Sequence, residues 1–248
     1  MFGSIDNLLR GRYTDPDRLQ GGRVELPIAA LTCTCLLLGG LYGASMGLFS
    51  ALARPGTDGL IQVIASVIKV PLLFLATLVV TFPSLYVVSA LARSRLQGPE
   101  ILRLLLAAIA VNLALLASLA PVAAFFTLST ESYPFIRLLH ILFFMASGVV
   151  GLNFLRRTLP GILGTGVSGP EVLGPRIPGT EWKAESQVDR SDAVFRVWIV
   201  IYGVVGAQMG WIMRPFIGDP NQSFSWFRPR DSNFAAAFFE ALTGTFGG

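Results

Sequence analysis

Ser45 lies in Gly43-Ala44-Ser45-Met46-Gly47, which fits the GxSxG pattern of serine nucleophiles. That pattern works on a sharp strand-turn-helix elbow, whereas the sequence around Ser45 is a continuous apolar run. A serine hydrolase within a membrane would need a histidine beside Ser45 as general base. His140 is the single histidine of the chain, and it falls in the same half of its span as Ser45, so the two could meet. No obvious acid or oxyanion donor completes the set. Cys33 and Cys35 share one apolar run and would point about 200° apart on a helix, so they cannot jointly hold a metal and read as ordinary buried thiols. Gly164-Thr165-Gly166-Val167-Ser168-Gly169 matches a dinucleotide-binding pattern. Its context fails, because Pro170 follows it and no βαβ unit surrounds it. No cofactor or metal site is expected, and no catalytic residue.

Polar groups at membrane depth are the next suspects, because burying them in hydrocarbon is costly. They are Lys69, Asn112, Arg137, His140, Asn153 and Gln208. Lys69 and Arg137 lie near expected span ends, where a long side chain can reach the interface. Asn112 and Gln208 are expected to bond between helices. No expected span contains Asp or Glu, which argues against an ion pump or a proton-coupled carrier. Small residues form the strongest pattern: Cys35, Gly39, Gly43, Gly47 and Ala51 recur every four positions, and Gly206 and Gly210 give a shorter copy. Such a ridge lets a second helix approach closely. It serves either an oligomer interface or packing inside one bundle.

The elements that carry these groups follow from composition. The chain has 248 residues, 53% apolar and only 14% charged. Its mean hydropathy is +0.63. Soluble domains carry about 25% charged residues, so the expected class is an all-α polytopic membrane protein. Five apolar runs can cross a core of about 30 Å: 27–53, 70–92, 104–127, 138–155 and 197–213. The stretch 59–69 reads as an interfacial helix or an extension of the second span. Pro71 and Pro83 are expected to kink that span. Ala51-Leu52-Ala53 mimics a signal-peptidase site, but the run before it exceeds the 7–15 residues of a signal peptide.

The expected organisation is a cytoplasmic segment 1–26, a four-helix membrane region 27–157, a Gly/Pro-rich cytoplasmic loop 158–196, a fifth span 197–213 and a tail 214–248. Within the loop, residues 160–180 hold four prolines and six glycines, too many for regular helix. Phe2, Ile5, Leu8 and Leu9, followed by Arg10 and Arg12, suggest a short amphipathic helix on the membrane face. With the N-terminus inside, thirteen Lys and Arg fall on inner segments and five on outer ones. The expected placement is a bacterial inner membrane, N-terminus cytoplasmic and C-terminus periplasmic.

In the tail, Phe224, Trp226 and Phe227 precede Arg228 and Arg230, and Phe234, Phe238 and Leu242 recur every four residues. Asp231 or Ser232 can cap a helix there. Aromatic rings beside charge suit a membrane interface. Residues 232–246 span about 23 Å as helix, short of a full crossing. Nucleic acid is not an expected partner. Membrane lipids, other membrane subunits or a second copy are.

The N-in, five-span layout resembles the Yip1-type integral membrane proteins. The local likeness lies in Ala90-Leu91-Ala92-Arg93-Ser94-Arg95-Leu96-Gln97-Gly98 and the Pro99-Glu100-Ile101-Leu102-Arg103-Leu104-Leu105 that follows. The tail Arg214-Pro215-Phe216-Ile217-Gly218-Asp219-Pro220, with Phe227-Arg228-Pro229-Arg230-Asp231-Ser232-Asn233-Phe234, is similar to tails of uncharacterised bacterial membrane proteins. The acidic Gly-Pro segment that precedes the first span in eukaryotic Yip1 proteins is missing. The resemblance implies a membrane scaffold or adaptor. The leading expectation is therefore a non-enzymatic accessory subunit of a larger membrane assembly. Its rival is an oligomeric channel or a lipid or solute transporter, and an intramembrane serine hydrolase comes third.

Overall fold

The computed structural model describes residues 28–54, 56–91, 98–163, 197–198, 200–219 and 223–227. Most of these are helical, with non-helical stretches at 130–132, 214–219 and 223–227 and no strand among the described residues. Four helices are long and apolar enough to cross a membrane: α1 (Ile28–Ala53), α2 (Thr57–Leu91), α3 (Gly98–Ser129) and α4 (Tyr133–Leu163). A shorter apolar helix, α5, runs Val200–Met213. At 1.5 Å per residue its 14 residues reach about 21 Å, less than the roughly 30 Å core. Val197 and Trp198 are also helical. Reporters fused at residues 170 and 248 are expected to read opposite sides of the membrane, the first cytoplasmic. Matching readings would remove α5 from the set of spans. The expected helices of 1–26 and 232–246, and residues 164–196 of the Gly/Pro-rich loop, lie outside the described residues.

The second span is longer than its apolar run. Helix α2 begins at Thr57 and takes in all of 59–69, and it continues through both Pro71 and Pro83. Likewise α4 continues to Leu163, past the expected loop boundary at 158. At the turn between α3 and α4 the Ser132 carbonyl accepts from the Ile136 amide at 3.1 Å. Pro134 occupies the first turn of α4, where its missing N–H has no helical partner to lose.

The small-residue ridge of α1 is filled from within the chain. A Cβ on Gly39 would meet Pro71 Cβ at 2.8 Å, and one on Gly47 would meet Val63 Cα at 2.6 Å. On Gly43 it would sit 2.8 Å from the Ser66 carbonyl carbon and 2.9 Å from Val67 Cα. Glycine is what allows the α1 and α2 backbones to run this close. Ala51 lies at the end of the ridge, beside Gly59 of α2. Cys35 faces another neighbour, donating its Sγ–H to the Leu106 carbonyl of α3 at 3.8 Å. Cys33, expected to be buried, is exposed, as a two-residue step on a helix requires.

Helix α3 is the most enclosed. All eight residues from Leu104 to Val111 are at most 8% exposed. A helix apolar on every side belongs in a core or a membrane. Gly151 of α4 packs beside Asn112 and Ala108 of α3. Helix α5 rests on α2: Gly206 faces Thr77, Gly210 faces Leu73, and Trp198 donates its Nε1–H to the Thr81 carbonyl at 3.5 Å. The outward faces keep large apolar side chains exposed, among them Leu37, Leu41, Val79, Leu138, Leu142 and Val149. That surface suits lipid.

Candidate functional site

The residue that engages His140 is Tyr42, not Ser45. Tyr42 on α1 and His140 on α4 are both fully enclosed, with Oη and Nδ1 2.7 Å apart. Ser45 donates its hydroxyl to the Tyr42 carbonyl at 2.7 Å, within its own helix. The Tyr42 ring also meets Phe144 edge-on at 5.6 Å, and Phe144 stacks on Phe74 of α2 at 6.0 Å. Among the described residues His140 Nε2 has no hydrogen-bond partner. Counting donors fixes the tautomer. If Nδ1 carried the proton, both the Tyr42 O–H and the Nε2 lone pair would lack partners. If Tyr42 donates to Nδ1, one group alone is left over, an Nε2–H donor. The second arrangement therefore has the lower cost.

His140 lines a cavity of about 530 Å³ bounded by α1, α2, α4 and α5. Its walls are apolar, with Met46, Leu73, Phe144 and Met145 among them. Arg137, Arg214 and Trp211 also line it. The Arg214 guanidinium lies over the Trp211 ring, 3.5 Å from its centroid. A second cavity of about 470 Å³ lies between α3, α4 and α5. Phe144, Met145, Gly206 and Ala207 line both, so the two are neighbouring parts of one groove. Gly148 and Gly203 both line the second part, and a Cβ on either would meet nothing within 4 Å. Asn112 lines this part as well, and its Oδ1 has no hydrogen-bond partner among the described residues. From Arg137 to Leu155 the groove follows 19 residues of α4, about 27 Å of helix. Pockets of this size and apolar character take small organic ligands.

A second cluster holds the chain after α5. Gln62, Ser66 and Lys69 form one polar row on α2, at helical spacing. Gln62 Nε2 donates to the Phe216 carbonyl at 2.8 Å, and the Ser66 hydroxyl donates to the same carbonyl. Lys69 was expected to reach the interface. It is instead 2% exposed. Its Nζ donates to the Pro215 carbonyl at 3.1 Å and to the Trp226 carbonyl, and lies 5.2 Å from the Phe227 ring centroid. Irregular backbone at membrane depth must be satisfied by protein, and this row does that for the carbonyls of Pro215, Phe216 and Trp226. Gly218, at φ 79°, closes the turn against Ser50 and Gln62, where a Cβ would clash with both.

The expected site residues thus divide. Gly39, Gly43, Gly47 and Ala51 build the α1–α2 contact, and Gly206 and Gly210 line the groove. Of the tail set, Trp226 and Phe227 cover Lys69, and Phe224 meets Trp226 edge-on at 5.7 Å. Arg228, Arg230, Phe234, Phe238 and Leu242 lie outside the described residues, as do residues 92–97 of the segment that resembles Yip1-type proteins. Among the described residues no group of three His, Cys, Asp or Glu is placed to hold a metal. Comparison with known families, curated proteins and solved structures finds no match.

Proposed function

We propose that the chain is a non-enzymatic membrane protein whose working part is the groove between α4 and α5, and that the groove takes the apolar chain of a membrane lipid. The observation that carries this is the open space at Gly148 and Gly203. Two helices that packed for stability alone would close over such residues, since small side chains are what permit close approach. Here they leave room inside a groove lined mainly by apolar groups. This is the lipid-handling reading. The accessory-subunit reading draws on the glycine ridge and the tail, and the ridge is occupied by α2 of the same chain.

Filling the groove tests it. Gly148→Phe and Gly203→Phe place a ring in empty space and should leave the fold intact. Each is expected to weaken binding of a pyrene-labelled diacylglycerol at least tenfold, measured by fluorescence in detergent, at an unchanged melting temperature. Binding that survives both substitutions would end the proposal.

A further inference from the structure

Resting on that reading, we infer that the groove selects a lipid with an anionic phosphate headgroup, held at the mouth by Arg137 and Arg214 with His140 behind them. Three observations converge there. Both arginines line the 530 Å³ cavity at one end, while its walls are apolar. Among the described residues, the carboxylates near that end, Asp58, Glu131 and Asp219, line neither part of the groove. His140, enclosed to 1% exposure, lines the same cavity, and its Nε2–H has no acceptor among the described residues. An unused buried donor costs free energy that an oxygen acceptor from a ligand would recover.

The chemistry of the three groups matches one occupant. A guanidinium pairs well with phosphate oxygens and forms two parallel bonds to them. Arg137 is exposed and has no hydrogen-bond or ion-pair partner among the described residues, so it can turn toward a headgroup. The His140 donor lies deeper, at the level of the apolar walls, where an ester or phosphate oxygen of a lipid would enter. Below it the groove continues past Met145 and Gly206 to Asn112 and Trp198, the path of an acyl chain. Free phosphate would pair with Arg137 and leave that path unfilled. A bilayer lipid satisfies both.

The test uses the full chain in neutral detergent and native mass spectrometry. The probes are dioleoylphosphatidylglycerol, dioleoylglycerol and inorganic phosphate. The expected result is binding of the phosphatidylglycerol at least tenfold tighter than of dioleoylglycerol, with no retention of phosphate. Arg137→Gln, at an exposed position outside the packed core, should reduce that preference several-fold at an unchanged melting temperature. Equal binding of the two lipids, unmoved by Arg137→Gln, would overturn the headgroup assignment and leave the groove reading standing. Failure of both lipids to bind would overturn the two together. In that case a dimeric, lipid-free mass would put a second copy in the groove, and lipid binding regained on removal of residues 228–248 would put the tail there.

Discussion

Gly43→Ala is expected to lower the stability of the bundle by about 3 kcal/mol, at the upper end of what overpacking a close contact costs. The added methyl meets the backbone of Ser66 and Val67 at 2.8–2.9 Å. Backbone cannot swing aside as a flexible side chain can, so α1 and α2 must separate and lose contacts along the whole ridge. Gly203→Ala provides the contrast. Its Cβ meets nothing within 4 Å, and alanine costs less than glycine in a helix by roughly 0.5–1 kcal/mol. That variant should melt at or slightly above the parent. Thermal unfolding of the three proteins in one detergent checks both statements. Equal melting for Gly43→Ala and the parent would mean that α1 and α2 do not pack along this ridge.

Lys69→Met is expected to destabilise by about 2–4 kcal/mol. Methionine keeps much of the length and the apolar stem, but it donates nothing. The carbonyls of Pro215 and Trp226 lose a charged donor, and each buried acceptor left unsatisfied costs about 1–3 kcal/mol. Relief from holding an ammonium away from water offsets part of that. The loss should be local before it is global: amides of 216–219 exchange faster with deuterium, while those of α3 are unchanged. Unaltered exchange at 216–219 together with unaltered melting would show that the segment is held by other contacts.

The helices were legible because hydrocarbon demands long apolar runs, and α1, α3 and α4 show them without interruption. The start of α2 was not. Gln62, Ser66 and Lys69 lower the apolarity of 59–69, and their acceptors stand as far as 157 residues away in the chain. Only the folded chain reveals that these three make a row of donors for carbonyls near the end of the sequence. The ridge was readable as a site of close approach, but its spacing carries no information about which helix fills it. Tyr42 is separated from His140 by 98 positions, and the more familiar GxSxG signature around Ser45 drew attention to the wrong hydroxyl three residues on. The groove left the faintest trace. It is marked by isolated glycines on α4 and α5 whose importance lies in what they fail to touch, and sequence periodicity records contacts.

The link from Lys69 to Pro215 also sets a timetable. In a growing chain Pro215 is made 146 residues after Lys69. At ribosomal speeds of about 5–20 residues per second, that is a delay of roughly 7–30 s. Throughout it, α2 carries an ammonium whose acceptors do not yet exist, so the helix must wait where water or an insertion factor can attend to the charge. Its final seating in the bilayer is then one of the last events of assembly, later than the pairing of α1 with α3. A nascent chain halted before Pro215 is therefore expected to be degraded faster than the finished chain, although all four long helices are already complete.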